Sequence, residues 1–271
     1  GKTFIITGAN SGLGFENARA FAQKGARVIM ACRTPSKAQD ALAKIKALAP
    51  QANIETMALD VASLESVATF AKEANAKLDR LDGLINNAGI MAVPMARTTD
   101  GFESQIGTNH LGHFALTSQL WPLLSKSQGR VVNVSSMAHT AGKVDTDDLN
   151  FERRSYDRVT SYSQSKLANV LFSQALARRL KGSGVVSNSL HPGVIATKLL
   201  KEGFGMDGGG SLKQGAATSV HVALAPELET VSGRYFDASR EAPMARAATV
   251  EADQEKLWAL SESLTGVVWP G

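Results

Sequence analysis

The chain has 271 residues, 44% of them apolar, and a formal net charge of +4. That apolar fraction can fill a sizeable core, the small scattered charge is no nucleic-acid footprint, and no apolar run nears the roughly 18 residues of a membrane span. The one cysteine, Cys32, excludes an internal disulfide and thiolate metal clusters and points to a reducing compartment, the cytoplasm. No basic-then-apolar signal peptide opens the chain, which starts so close to its first strand that a leader or anchor could precede it.

Residues 2–7 are a short apolar, β-branched run that reads as a buried strand. It leads into Gly8-Ala9-Asn10-Ser11-Gly12-Leu13-Gly14 and then a helical pattern to about Lys24. Strand, glycine turn and helix make a phosphate cradle, because glycines admit the pyrophosphate and the helix start offers N–H groups. The glycine spacing is three then one, unlike the commoner dinucleotide fingerprint. Residues 26–31 form the second strand. Its end carries Cys32-Arg33, where a free ribose 2′-hydroxyl would call for an acid, and no Asp or Glu occurs from Arg27 to Gln39. Arg33, assisted by Lys37, suits a 2′-phosphate instead and favours NADP(H). A solvated loop charge is the alternative for Arg33.

A helix over 38–49, a strand over 54–59 ending at Asp60-Val61, and a helix from about 63 to 78 follow, with Ser63 as its N-cap. Residues 81–85 make a fourth strand before Asn86-Asn87-Ala88-Gly89, small enough for backbone to approach a flat ring. Residues 101–125 read as one helix carrying Asn109, an unfavourable mid-helix residue that suggests either a task or a neighbouring hydrogen bond. A fifth strand, 130–134, ends at Ser135-Ser136, on the same carboxyl rim as Gly8 and Asn87. Residues 139–160 are polar and charged and read as a surface excursion. The helix from 161 to about 181 places Tyr162 and Lys166 one turn apart on one face, where a lysine cation favours the phenolate and moves its pKa toward working pH. A sixth strand, 185–190, leads to His191-Pro192-Gly193, and the glycine-rich stretch 197–211 is a candidate lid. A helix over 212–224, a seventh strand over 233–236 and a helix over 249–264 complete the chain. Alternating strands and helices predict a doubly wound parallel α/β sheet of about seven strands with helices on both faces, a single domain over 1–271.

Taken together these stretches resemble the short-chain dehydrogenase/reductase family, over essentially the whole chain. The nearest likeness is to its retinol dehydrogenase-like branch, through Ala31-Cys32-Arg33, Asn133-Val134-Ser135-Ser136-Met137-Ala138-His139, Ser165-Lys166-Leu167-Ala168-Asn169 and Gly233-Arg234-Tyr235-Phe236. The resemblance implies a Rossmann-type fold and an NADP-dependent alcohol dehydrogenase or carbonyl reductase. Tyr162 would be the general acid/base, Lys166 would lower its pKa and hold the nicotinamide ribose, Ser136 would hold the carbonyl oxygen, and Asn109 would support a water chain to Lys166. The cofactor would lie against Gly8, Asn10, Ser11, Gly12, Leu13, Gly14, Arg33, Lys37, Asp60, Val61, Asn87, Ala88, Gly89, Tyr162, Lys166, Pro192, Gly193, Val194 and Thr197.

Segments 139–160 and 194–211 would shape the site for a small carbonyl or alcohol. A homodimer or homotetramer is expected, with the Tyr162 helix at an interface through Leu167, Val170 and Leu171, although that spacing suits core equally. The five histidines lack metal-ligand spacing beyond His110 and His113, which have no third partner, so no metal is expected. No Gly-x-Ser-x-Gly elbow surrounds Ser136, against a hydrolase. The alternative of another class is a non-catalytic nucleotide sensor or partner protein, which usually loses the tyrosine or lysine; both are present here.

Overall fold

Thr3–Thr7 forms β1, and all five residues are buried, as an unbroken apolar run requires of a strand covered on both faces. In this computed structural model, which describes residues 1–270, β1 pairs in parallel with β2 (Arg27–Cys32) and β4 (Gly83–Asn86). β3 (Ile54–Ala58) lies outside β2, while β5 (Arg130–Val134), β6 (Val186–His191) and β7 (Tyr235–Asp237) continue beyond β4. The order β3-β2-β1-β4-β5-β6-β7-β8 reverses direction between β1 and β4, which opens the crevice where ligands of such sheets bind.

The sheet has 8 strands, not the seven expected. The extra strand is β8 (Arg240–Glu241), antiparallel to β7. The turn between them uses Ala238 and Ser239 at φ of 47° and 60°. Such tight hairpin turns normally announce themselves by Asn or Gly, and neither is here.

Period-two alternation divides the core. Ile5, Ile29, Leu84 and Val131 join one apolar layer with α3 (Leu64–Lys77), α5 (Gly112–Gln119) and α7 (Arg158–Arg179). Phe4, Ile6, Val28, Met30, Ile85 and Val132 face the other, beneath α1 (Gly12–Gln23), α2 (Pro35–Leu48) and α9 (Leu212–Leu224). Ser63 caps α3 as expected, its hydroxyl accepting the Ser66 N–H at 3.3 Å.

The single helix expected over 101–125 is broken. It comprises α4 (Ser104–Ile106), a π turn at Gly107–Leu111 that contains Asn109, α5, and α6 (Trp121–Ser127). Pro122 at the start of α6 lacks the N–H that would continue α5. Gly112 lets α5 press onto the Asp60-Val61 turn, since a Cβ there would sit 1.9 Å from the Val61 carbonyl oxygen.

The charged stretch 139–160 is not merely a surface excursion. His139, Asp148, Leu149 and Phe151 are buried. The Asp148 carboxylate accepts the N–H groups of Glu152, Arg153 and Arg154, and the Arg154 guanidinium lies 3.7 Å from the Phe151 ring centre. The glycine stretch 197–211 holds α8 (Lys198–Phe204), N-capped by Thr197 and ended by Gly205 at φ 67°.

Every residue of α7 from 161 to 173 is buried within the chain. Leu167, Val170 and Leu171 pack with Leu149, Ala248 and Leu257 of α10 (Glu251–Thr265). They are core, so the expected subunit interface on this helix is already covered by the chain's own segments. Among the described residues no helix is long and apolar enough to cross a membrane.

Candidate active site

The carboxyl ends of β1, β4, β5 and β6 bring the expected site residues to one rim. At β1, Gly8 and Gly12 adopt φ of +68° and +55°, a region glycine enters freely. A Cβ on Gly14 would sit 2.4 Å from the Gly8 carbonyl oxygen, so the turn closes only with glycine. Ser11 sits at the N-cap of α1 without a side-chain capping bond, which leaves the first-turn N–H groups of Gly12, Leu13 and Gly14 for an anion. The N–H groups of Ala9 and Asn10 turn toward the buried Cys32 sulfur, whose thiol burial pushes up to about 11. Arg33 and Lys37 are exposed just past β2, and among the described residues neither pairs with a carboxylate. Asp60 receives the Ala62 N–H on its own carboxylate at 3.0 Å, and its backbone N–H donates to Ser66 Oγ at 2.9 Å. These features fit a dinucleotide with an extra phosphate.

Asn87 does not turn its amide toward the crevice. Its Nδ2 donates to the Thr7 carbonyl at 2.8 Å, and the N–H groups of Asn87 and Ala88 donate to Thr7 Oγ1 at 2.9 and 2.8 Å. The Asn87-Ala88-Gly89 backbone is thereby fixed to β1. Asn109, in the π turn, uses its whole amide: Oδ1 accepts the Ile90 N–H at 2.9 Å, while Nδ2 donates to the Ile90 carbonyl at 3.0 Å and to Ser165 Oγ at 2.9 Å. It joins the β4 loop to α7. A Cβ on Gly89 would lie 2.9 Å from Asn109 Oδ1 and 3.6 Å from Lys166 Nζ, so Asn109 and Lys166 converge on that glycine.

Tyr162 and Lys166 share one face of α7, with Nζ 5.7 Å from the phenol ring centre. Lys166 Nζ donates to the Val134 carbonyl at 3.3 Å. Burial pushes the Tyr162 phenol up to about 12, opposed by a hydrogen bond with Ser136, and lowers Lys166 to about 8. Desolvation is the larger influence on the phenol in this pocket, and the Ser136 hydrogen bond is the one that opposes it. At neutral pH the phenol keeps its proton and the ammonium its charge. Ser136 caps the 3-10 turn Met137–Ala141, its Oγ accepting the Ala138 N–H at 3.2 Å. Ser135, its neighbour, turns away and donates to the Lys166 carbonyl at 2.7 Å, which supports the choice of Ser136 as the side chain facing Tyr162.

Pro192, Gly193 and Val194 follow β6 at the same rim, with Gly193 at φ +91°. The Thr197 hydroxyl accepts the Leu200 N–H at 3.1 Å and so anchors α8. Tyr162 packs with Met91, Ala92, Leu200 and Ala138, and the Phe204 ring meets it edge-on at 6.2 Å. Sequence reasoning missed Thr7 and His113, joined at 2.9 Å behind the rim, because a strand-end threonine and a helical histidine carry no pattern of their own.

The family model described as short chain dehydrogenase matches residues 2–206. The chain is 42% identical to human retinol dehydrogenase 13 over 100% of its own length and 86% of that protein. It is 43% identical to human retinol dehydrogenase 14, over 99% of this chain and 87% of that one. Among solved structures, a putative uncharacterized protein from Mycobacterium paratuberculosis superposes with a TM-score of 0.83 at 40% identity, over 100% of this chain and 95% of that one. A putative short chain dehydrogenase from Escherichia coli CFT073, complexed with NADPH, gives a TM-score of 0.72 at 25% identity, over 88% and 97%. With its glycine turn, Ser136, Tyr162 and Lys166 assembled at one rim, the chain belongs to the short chain dehydrogenase family, as an oxidoreductase of retinol dehydrogenase-like type.

Proposed function

We propose that the protein is an NADP(H)-dependent oxidoreductase that interconverts an apolar carbonyl compound and its alcohol, with Tyr162 as general acid and base. The observation that carries this reading is the meeting of the Tyr162 phenol and the Ser136 hydroxyl beside the apolar side chains of Met91, Ala92 and Leu200, one helical turn from Lys166. The free N–H groups of α1 would hold the pyrophosphate, Arg33 and Lys37 the 2′-phosphate, and Lys166 the nicotinamide ribose. The nicotinamide, when bound, supplies or accepts the hydride.

The chain's own residues handle the oxygen and the proton. Ser136 donates a hydrogen bond to the substrate oxygen as charge develops there. Tyr162 gives that oxygen its proton in reduction and recovers it in oxidation. Lys166 offsets the charge left on the phenolate. A phenol that burial keeps protonated is ready to donate to the substrate oxygen in the reductive direction. Met91, Ala92, Leu200 and Phe204 exclude water and receive an apolar group. The names of the retinol dehydrogenase relatives support an apolar aldehyde or alcohol of retinoid type.

The test is a panel of retinal, decanal, benzaldehyde and glyceraldehyde with NADPH and NADH, read by loss of reduced-nicotinamide absorbance. Turnover of the apolar aldehydes with NADPH is expected. Preference for glyceraldehyde, or no turnover with either cofactor, overturns the reading.

A further inference from the structure

Two histidines outside the proton-transfer group close on one peptide. His139, in the 3-10 turn directly after Ser136, is 1% exposed, and its Nδ1 lies 2.8 Å from the Ser136 carbonyl oxygen. A carbonyl oxygen only accepts, so Nδ1 carries the proton. The Ala245 N–H donates to His139 Nε2 at 3.0 Å, so that nitrogen is bare. His191, the last residue of β6, is 6% exposed and accepts the Met137 N–H on Nδ1 at 3.3 Å. Its proton must therefore sit on Nε2. The Ser136 carbonyl and the Met137 N–H are the two ends of a single peptide group.

We propose that His139 and His191, in opposite tautomers, clamp the Ser136–Met137 peptide and are positioning residues that aim the Ser136 hydroxyl at the substrate oxygen. The role assigned to Ser136 rests on the function proposed above; the clamp itself does not. Upstream, the chain is fixed by the sheet: the Ser135 N–H donates to the Leu190 carbonyl at 2.8 Å and Ser135 Oγ to the Lys166 carbonyl at 2.7 Å. Downstream, the orientation of this peptide plane sets the 3-10 turn whose Ala138 N–H holds Ser136 Oγ at 3.2 Å. The His139 ring is itself held, with the Tyr235 ring centre 4.6 Å away. Both rings must be neutral for the clamp to close. Burial favours that for each; beside His191, His139 and Lys166 reinforce it and Asp237 opposes it.

The deciding measurement is imidazole nitrogen NMR on histidine-labelled, cofactor-free protein near neutral pH, with signals assigned from single variants. His139 should read as the Nδ1–H tautomer and His191 as Nε2–H. Two rings of the same tautomer, or either ring cationic, overturn the clamp whether or not the protein turns over any aldehyde. Its consequence is read from kinetics with decanal and NADPH. His139→Leu and His191→Leu remove the clamp bond, whereas His139→Asn and His191→Asn keep a donor or acceptor close to the original Nδ1. The leucine variants should lose about 10- to 100-fold in kcat, with the NADPH dissociation constant within about twofold of the parent, as a misaimed catalytic group predicts. The asparagine variants should recover most of that loss. Leucine variants with parental kcat, or asparagine variants no better than leucine, remove the positioning role. A parent inactive on decanal and on every other aldehyde of the panel would count against the proposed function and leave the tautomer result to decide the clamp.

Discussion

His113 Nε2 lies 2.9 Å from Thr7 Oγ1, and this contact ties the π turn of Asn109 to the start of the glycine turn. The direction of each bond follows from counting. The N–H groups of Asn87 and Ala88 occupy both lone pairs of the Thr7 hydroxyl, so its own hydrogen is shared between the bare Nε2 at 2.9 Å and the more distant Ile85 carbonyl at 3.4 Å, and the nearer acceptor takes the larger part. The other ring nitrogen, Nδ1, then donates to the Asn109 carbonyl at 3.1 Å. One neutral, 2%-exposed imidazole therefore spans cofactor turn and catalytic turn, and burial lowers its pKa to about 4, which keeps it neutral.

His113→Leu leaves the Thr7 hydroxyl and the Asn109 carbonyl without that partner in the interior. Each lost bond of this kind costs about 1–3 kcal/mol. Thermal and urea unfolding should show a loss on the order of 2 kcal/mol or more. His113→Asn should regain part of it, because an amide can reach the carbonyl four residues back, as Asn75 reaches Ala71 at 2.8 Å on α3. A leucine variant as stable as the parent would remove His113 from the network.

Tyr162→Phe keeps the ring against Phe204 and Leu200 and deletes only the phenolic hydroxyl. Turnover should fall at least about a hundredfold, the usual contribution of a general acid/base. NADPH affinity, from fluorescence titration, should stay within about twofold. A variant that keeps a tenth of parental turnover would place proton transfer elsewhere.

Much of this site was legible because its chemistry requires fixed residue types at fixed places: a glycine turn after β1, a serine at the end of β5, a tyrosine and lysine one turn apart on α7. Less legible were features set by tertiary contact. Asn109 was noticed as a misfit in a helix, but the π turn around it depends on its bonds to Ile90 and Ser165, distant in sequence. The alternation of charge over 139–160 hid a segment folded on the buried Asp148 carboxylate. Leu167, Val170 and Leu171 present an apolar stripe that spacing alone could not assign to a partner subunit or to α10; packing assigns it to α10. Helical spacing also carries no report of depth, and it is depth that raises the Tyr162 phenol.

The buried Lys166 makes a stability prediction with a definite sign. Its folded-state pKa of about 8 lies below the ordinary value of 10.5. Between those values the unfolded chain binds a proton that the folded chain holds only weakly, so stability falls as pH drops through that window and stays reduced below it. Lys166→Met removes the proton and keeps the bulk. The cofactor-free variant should be more stable than the parent near neutral pH, by on the order of 1–3 kcal/mol, and the gap should close toward pH 10. Tyr162 acts oppositely only above its ordinary value of 10.0, and it is common to both proteins. Turnover should be lost. Urea unfolding near neutral pH and near pH 10 decides it, and a variant less stable at both would show that the ammonium bond to Val134 outweighs desolvation.

Cofactor choice turns on the corner beyond β2. Arg33 is exposed there with no carboxylate partner among the described residues, and Lys37 lies in the first turn of α2. Thr34, at the N-cap of α2, makes no capping bond through its side chain, and Pro35 has no N–H, so the helix start keeps unused donors and a positive end beside Arg33. A 2′-phosphate would take the guanidinium fork, this helix end and Ser11 together. Charge-assisted bonds of this kind contribute about 1.5–3 kcal/mol, and exposure to salt reduces that toward the lower end. A preference for NADPH over NADH of roughly tenfold or more follows, at about 1.4 kcal/mol per factor of ten. Raising the salt concentration should narrow the preference, because the screened charge acts on the phosphate alone. Arg33→Asp should weaken NADPH strongly through repulsion and leave NADH unchanged or improved, since a carboxylate can accept from the free ribose hydroxyls. Dissociation constants for both cofactors, in parent and variant at two salt concentrations, test this directly. Equal affinities in the parent, or a variant that loses both cofactors alike, would make Arg33 a solvated loop charge.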